Sequence, residues 1–109
     1  MERRKSLRTR FPQPISLWST EPQEPVGSLA CDLSEGGVRI NLPDFVAVGT
    51  EYTLQLPLFQ DRSVECPGRV VWVQKLPHMD RYQAGIRFKE EYSAGNTRQQ
   101  IRKFVDQKR

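Results

Sequence analysis

Long apolar runs are missing from this chain of 109 residues. Nothing in it approaches the roughly 18 consecutive apolar residues of a membrane-spanning helix. The basic beginning, MERRKSLRTRFPQP, is not followed by the apolar core of a secretory signal, so a cytoplasmic setting without membrane insertion is expected. Histidine is nearly absent, with His78 alone, and the two cysteines, Cys31 and Cys66, stand 35 residues apart without a CxxC spacing. These residues argue against a metal site, and without an export signal the thiols are expected to be reduced. The scattered carboxylates have no recognisable catalytic spacing and His78 has no obvious orienting partner. Hydrolytic chemistry is therefore not expected, and binding is.

The rest of the composition is that of a small globular domain: 37% hydrophobic and 28% charged residues, with Gly and Pro (7 and 8) too few for a low-complexity chain. At this length one core is feasible, burying roughly two thirds of the surface of the unfolded chain. The net charge of +4 is unevenly placed. Arg3, Arg4, Lys5, Arg8 and Arg10 face Glu2 alone in the first ten residues, a local balance of +4, and the remaining 99 residues carry twelve charges of each sign. The positive field is concentrated in one short arm, which suits a compact anion better than a long polymer, and the neutral body argues against a nucleic-acid surface.

Hydropathy alternates along most of the body. Ile15–Ser19 is a short strand between prolines, Glu21–Pro25 a loop, and Val26–Cys31 a strand ending near Asp32. Ser34, Glu35, Gly36 and Gly37 form a turn into Val38–Leu42, where Val38, Ile40 and Leu42 share the apolar face. Tyr52, Leu54, Leu56 and Leu58 repeat every second residue, as do Tyr82, Ala84, Ile86 and Phe88. In the long run Val64–Gln74, strict alternation puts Cys66, Gly68, Val70 and Trp72 on one face and Arg69, Val71 and Val73 on the other; Pro67 and Gly68 suggest a bulge or an edge near its start. The period changes at Thr97–Lys108, where Ile101, Phe104 and Val105 mark the buried stripe of a helix with Asn96 as its N-cap. The reading is all-β: five or six antiparallel strands and one C-terminal α-helix make a closed or nearly closed small barrel behind a basic N-terminal arm. It is one domain over 1–109, with the arm at 1–12, the barrel at 13–92 and the helix at 96–108.

Two motifs carry the chemistry. Arg4 to Arg8 is an RxxxR pattern, and Asp32-Leu33-Ser34-Glu35-Gly36-Gly37 is DxSxxG between two strands. Followed by VVWV, YQAGIRF and a terminal helix, they resemble the PilZ domain family over nearly the whole chain. The resemblance implies a six-stranded antiparallel small β-barrel with a C-terminal α-helix and a mobile basic N-terminal arm, which binds the bacterial second messenger cyclic di-GMP as ligand, with no further cofactor. Such receptors or adapters control motility, surface polysaccharide or biofilm through a separate protein effector. It assigns Arg4 and Arg8 to guanine and phosphate, and Asp32, Ser34 and Gly37 to one guanine; Arg3, before the first motif arginine, bears on whether one ligand or an intercalated pair is held.

The side-chain chemistry is compatible. Arginine pairs bidentately with phosphate or with guanine O6 and N7 and stacks on bases. A carboxylate such as Asp32 accepts from the guanine N1–H and N2–H₂ edge, which adenine cannot match. Ser34 bonds the ligand or its own turn, and Gly36 and Gly37 permit a tight turn and close ligand approach. The bland alternative is that Asp32 and Ser34 merely cap a turn. Arg10, Arg69 and Trp72 are additional candidates. Trp72 is either a stacking platform or half-buried core, with its apolar face-mates favouring core; Arg69 and Arg87 extend the anion surface or sit on a solvated sheet face. Trp18 belongs to the core or to a partner surface. The competing functions are a PilZ-type protein-interaction module that binds no nucleotide, and a small-barrel nucleic-acid-binding protein.

Overall fold

The computed structural model describes residues 8–19, 25–59, 62–89 and 97–107. Arg3, Arg4, Lys5, most of the 21–25 loop, Asn96, Lys108 and Arg109 lie outside the described residues. The elements are β1 (Arg8–Arg10), β2 (Pro14–Ser19), β3 (Pro25–Ser34), β4 (Gly37–Leu42), β5 (Glu51–Phe59), β6 (Arg62–Lys75), β7 (Tyr82–Phe88) and α1 (Thr97–Gln107).

Strands β2 to β7 close into a six-stranded antiparallel barrel, in the order β2–β5–β6–β7–β4–β3 and back to β2. Closure is possible because β3 is long. Its first half pairs with β2, and its second half pairs with β4. The alternating residues do what their period demands: Tyr52, Leu54, Leu56 and Leu58 point inward, as do Val38, Ile40 and Leu42. Helix α1 packs on β3, β5 and β6 through Ile101, Phe104 and Val105. The Phe104 ring meets Phe11 and Phe59 edge-on, with centroids 5.5 and 5.6 Å away.

Two features depart from the sequence reading. Part of the basic arm is a strand, since Arg8–Arg10 pairs with Asp32–Ser34 on the free side of β3. Phe11 explains this: its ring is buried in the core and its N–H donates to the Cys31 carbonyl at 2.8 Å, so the residues before it are delivered alongside β3.

The second departure is in β6. The register against β7 slips between Val70, which faces Ile86, and Trp72, which faces Gly85. Val71 is the extra residue of this bulge. Beyond it the faces exchange, so Trp72 is exposed and Val73 packs on the core, the reverse of strict alternation. Pro67 and Gly68 mark neither a bulge nor an edge: their pairing with β5 is regular, and Gly68 also pairs with Phe88 of β7. Gly68 is required there for space, because a Cβ would press on the Ile86 and Leu54 side chains.

Candidate functional site on the outer barrel wall

Directly opposed residues in antiparallel strands point to the same face. Two neighbouring rows therefore run across the outer wall over β1, β3, β4, β7 and β6. The first is Arg10, Asp32, Arg39, Gly85 and Trp72. The second is Arg8, Ser34, Gly37, Arg87 and Arg69, continuing to Glu51 on β5. The fold gathers onto one surface most of the residues that the motifs and the additional candidates single out.

Asp32 is the centre of this surface. Its Oδ1 lies 3.3 Å from Arg8 Nε, which joins the second arginine of RxxxR to the first residue of DxSxxG. Its Oδ2 forms an ion pair with Arg39 Nη2. The carboxylate is largely covered, with 13% of the side chain exposed, and Oδ1 is buried without a hydrogen bond among the described residues. Arg39 Nε is buried and equally unpartnered there. Such groups cost free energy unless something bonds them.

Ser34 and the glycines have local explanations. The buried Ser34 hydroxyl donates to the Gly37 carbonyl and accepts from the Gly36 N–H, both at 3.3 Å, and so braces its own turn. A Cβ at Gly37 would strike the Ile86 backbone carbonyl, so this glycine is required by the approach of β7. At Gly36 a Cβ would meet open space, and its carbonyl accepts from the Phe88 N–H at 2.9 Å. Gly85 is covered by Trp72, whose indole a Cβ there would meet at 2.5 Å from Cε2. Trp72 thus presents one side to the wall and the other to solvent.

Charge around the wall is mostly positive. Arg87 is exposed beside Gly37, and Arg69 reaches Glu51 at 2.7 Å, as Lys89 does. Hydrogen bonds from Lys89 and Arg69 hold the Glu51 carboxyl below its usual range. At the turn, burial opposes ionisation of Glu35, but hydrogen bonds from Arg102 and Arg98 outweigh it and hold its carboxyl low. Cys31, the residue at the β3 register shift beside Asp32, has its thiol pushed up by burial, with Arg39 acting in the opposite sense.

Arg39 was not singled out from the sequence, yet the signal was present. Once Glu35 and Gly36 are taken as a two-residue turn, counting back from Ser34 and forward from Gly37 sets Asp32 against Arg39. The position of Trp72 had no such signal, because the bulge at Val71 exists only in the pairing with β7.

A small closed barrel bearing two arginine-lined rows around a largely covered carboxylate defines a binding module. The model of the PilZ domain family matches residues 2–107, and the chain belongs to that family. Its fold is similar to that of the Bacillus subtilis inhibitor of motility MotI/DgrA, with a TM-score of 0.80 at 20% identity over 98% of this chain and 51% of that one. It is also similar to the PilZ domain of Escherichia coli YcgR solved with c-di-GMP (TM-score 0.74, 13% identity, 98% of this chain, 92% of that). A third similar structure is the K. pneumonia MrkH–c-di-GMP complex (0.71, 19%, 96% and 52%). The chain therefore spans about half the length of MotI/DgrA and of MrkH. No curated protein sequence is significantly similar to it. Among the described residues no helix is long and apolar enough to cross a membrane, and no group of His, Cys, Asp and Glu could hold a metal ion.

Proposed function

We propose that this chain is a cyclic di-GMP receptor that acts on a separate protein effector. Its ligand lies on the outer wall against Asp32, Gly36, Gly37 and Trp72, under the arginines of the arm. The observation that carries the reading is the Arg8–Asp32 pair, which brings the two PilZ motifs within 3.3 Å of each other. Two further features support it. Ser34 and Gly37 are accounted for by the turn itself, whereas Oδ1 of Asp32, though 3.3 Å from Arg8 Nε, is buried and accepts no hydrogen bond among the described residues. A guanine N1–H and N2–H₂ edge would supply its missing donors. Two of the similar folds, the YcgR PilZ domain and MrkH, were solved with c-di-GMP.

In this reading Arg4 and Arg8 take guanine and phosphate, with Arg3 and Arg10 adding positive charge. Arg69 and Arg87 extend the anion surface, and the exposed Trp72 indole offers a base a stacking face. Ser34 serves by shaping the turn. A charge-assisted hydrogen bond contributes about 1.5–3 kcal/mol and micromolar affinity needs about 8 kcal/mol, so a few ordered arginines and one stacked base suffice. Ligand neutralises the arginines of the arm beside Asp32, creating or hiding a surface that the effector reads. Motility, surface polysaccharide and biofilm formation are the processes such an effector would serve.

The test is calorimetric titration with cyclic di-GMP, GMP and cyclic di-AMP, repeated on an Arg4→Ala/Arg8→Ala variant, with a non-calorimetric check. Low-micromolar or tighter binding of the guanine dinucleotide alone, lost in the variant, is the expected result. Absence of binding by both methods would overturn the receptor reading and leave the protein-interaction module.

A further inference from the structure

We infer that Arg39 is a positioning residue that sets the purine selectivity of this wall by fixing the Asp32 carboxylate; the inference rests on the receptor reading above. Arg39 belongs to neither motif. It stands directly across from Asp32 on β4, and its Nη2 engages Oδ2, the oxygen that Arg8 does not approach. Oδ1, 3.3 Å from Arg8 Nε, is buried and accepts no hydrogen bond among the described residues.

The chemistry of guanine gives this division a purpose. Its N1–H and N2–H₂ lie side by side, so a carboxylate bonds both only when its plane is aligned with the base. A carboxyl group rotates freely about its terminal torsion unless something holds it. Each carboxylate oxygen has two acceptor positions, so Oδ2 can bond Arg39 and still take a base donor beside Oδ1. An arginine bound at Oδ2 therefore aligns the acceptor without consuming it. In the register Arg39 stands between Asp32 and Gly85, and Gly85 is covered by Trp72.

The test uses the full chain and two dinucleotides that differ only in the exocyclic amine, cyclic di-GMP and cyclic di-IMP. In the unaltered protein cyclic di-GMP should bind more tightly by about tenfold or more, the discrimination expected of one good bidentate contact. Arg39→Gln should weaken cyclic di-GMP by about that factor while changing cyclic di-IMP little, so that the ratio approaches one. Arg39→Lys keeps the charge without the planar fork and should fall between; it also decides the matter if Arg39→Gln does not fold. An equal loss for both ligands, or an unchanged ratio in both variants, would overturn the inference and leave the receptor intact. So would an unaltered protein that binds both dinucleotides equally. An unaltered protein that binds neither overturns the receptor reading and this inference with it.

Discussion

Glu35, at the tip of the DxSxxG turn, is held by Arg102 of the terminal helix, with Oε1 and Oε2 each 3.2 Å from a guanidinium nitrogen. Arg98, one helical turn earlier, adds a bond of 3.1 Å to Oε2. The spacing of four residues puts both arginines on one face of α1. The motif turn and the helix that packs on the barrel are thereby tied together.

Replacing Glu35 with Gln should loosen α1 without unfolding the barrel, whose strands pair independently of it. Amide exchange in residues 98–107 should speed up, with β5 and β7 unchanged. Equal acceleration throughout would mean that the clamp is part of the global fold, and no acceleration that it adds nothing to helix docking.

Acid should weaken the same clamp. The Glu35 carboxyl is held below its unfolded value, so it contributes stability that is fully present above about pH 4.3 and is lost as pH falls through the lower folded value. Glu51 has the same sign but is exposed, so salt screens it more strongly. Urea unfolding between pH 7 and pH 3 should show stability falling at the acid end, with a shallower fall in Glu35→Gln.

Phe104→Ala should cost about 3–5 kcal/mol in denaturant unfolding, because the ring is buried and touches both Phe11 and Phe59 edge-on. A cost below about 1 kcal/mol, the scale of an ordinary surface change, would place the helix outside the cooperative fold.

Two glycine-to-alanine changes should separate binding from folding. At Gly85 the added Cβ meets the Trp72 side chain, which can swing away. The Gly85→Ala variant should keep its melting temperature within a few degrees and bind cyclic di-GMP about tenfold more weakly, as Trp72→Ala should. At Gly37 it meets the Ile86 backbone, which cannot move alone, so Gly37→Ala should lower the melting temperature. Matching losses of stability in the two variants would refute the distinction.

The thiols should differ in reactivity. Burial pushes Cys66 up to about 12, while Cys31 is only half-buried and less strongly shifted. An aromatic disulfide reagent should modify Cys31 first and Cys66 only on unfolding. Simultaneous reaction in the folded protein would contradict the buried placement of Cys66.

The sequence by itself determined which segments are strands, which is the helix, and which faces are apolar through most of the barrel. These follow from steric alternation along each strand and from the i, i+3 and i+4 spacing of Ile101, Phe104 and Val105. It also held the two motifs, and even the Asp32–Arg39 pairing, because a two-residue turn makes register a matter of counting. Only the tertiary structure decided that Arg8–Arg10 lies along β3, that Glu35 reaches α1, and that Trp72 stands outside. Each depends on a partner far away in the chain: Phe11 seated in the core, two arginines more than sixty residues past Glu35, and a β7 register that skips Val71. Alternation is local, whereas pairing and its slips are settled between strands by the hydrogen bonds and packing of the closed barrel.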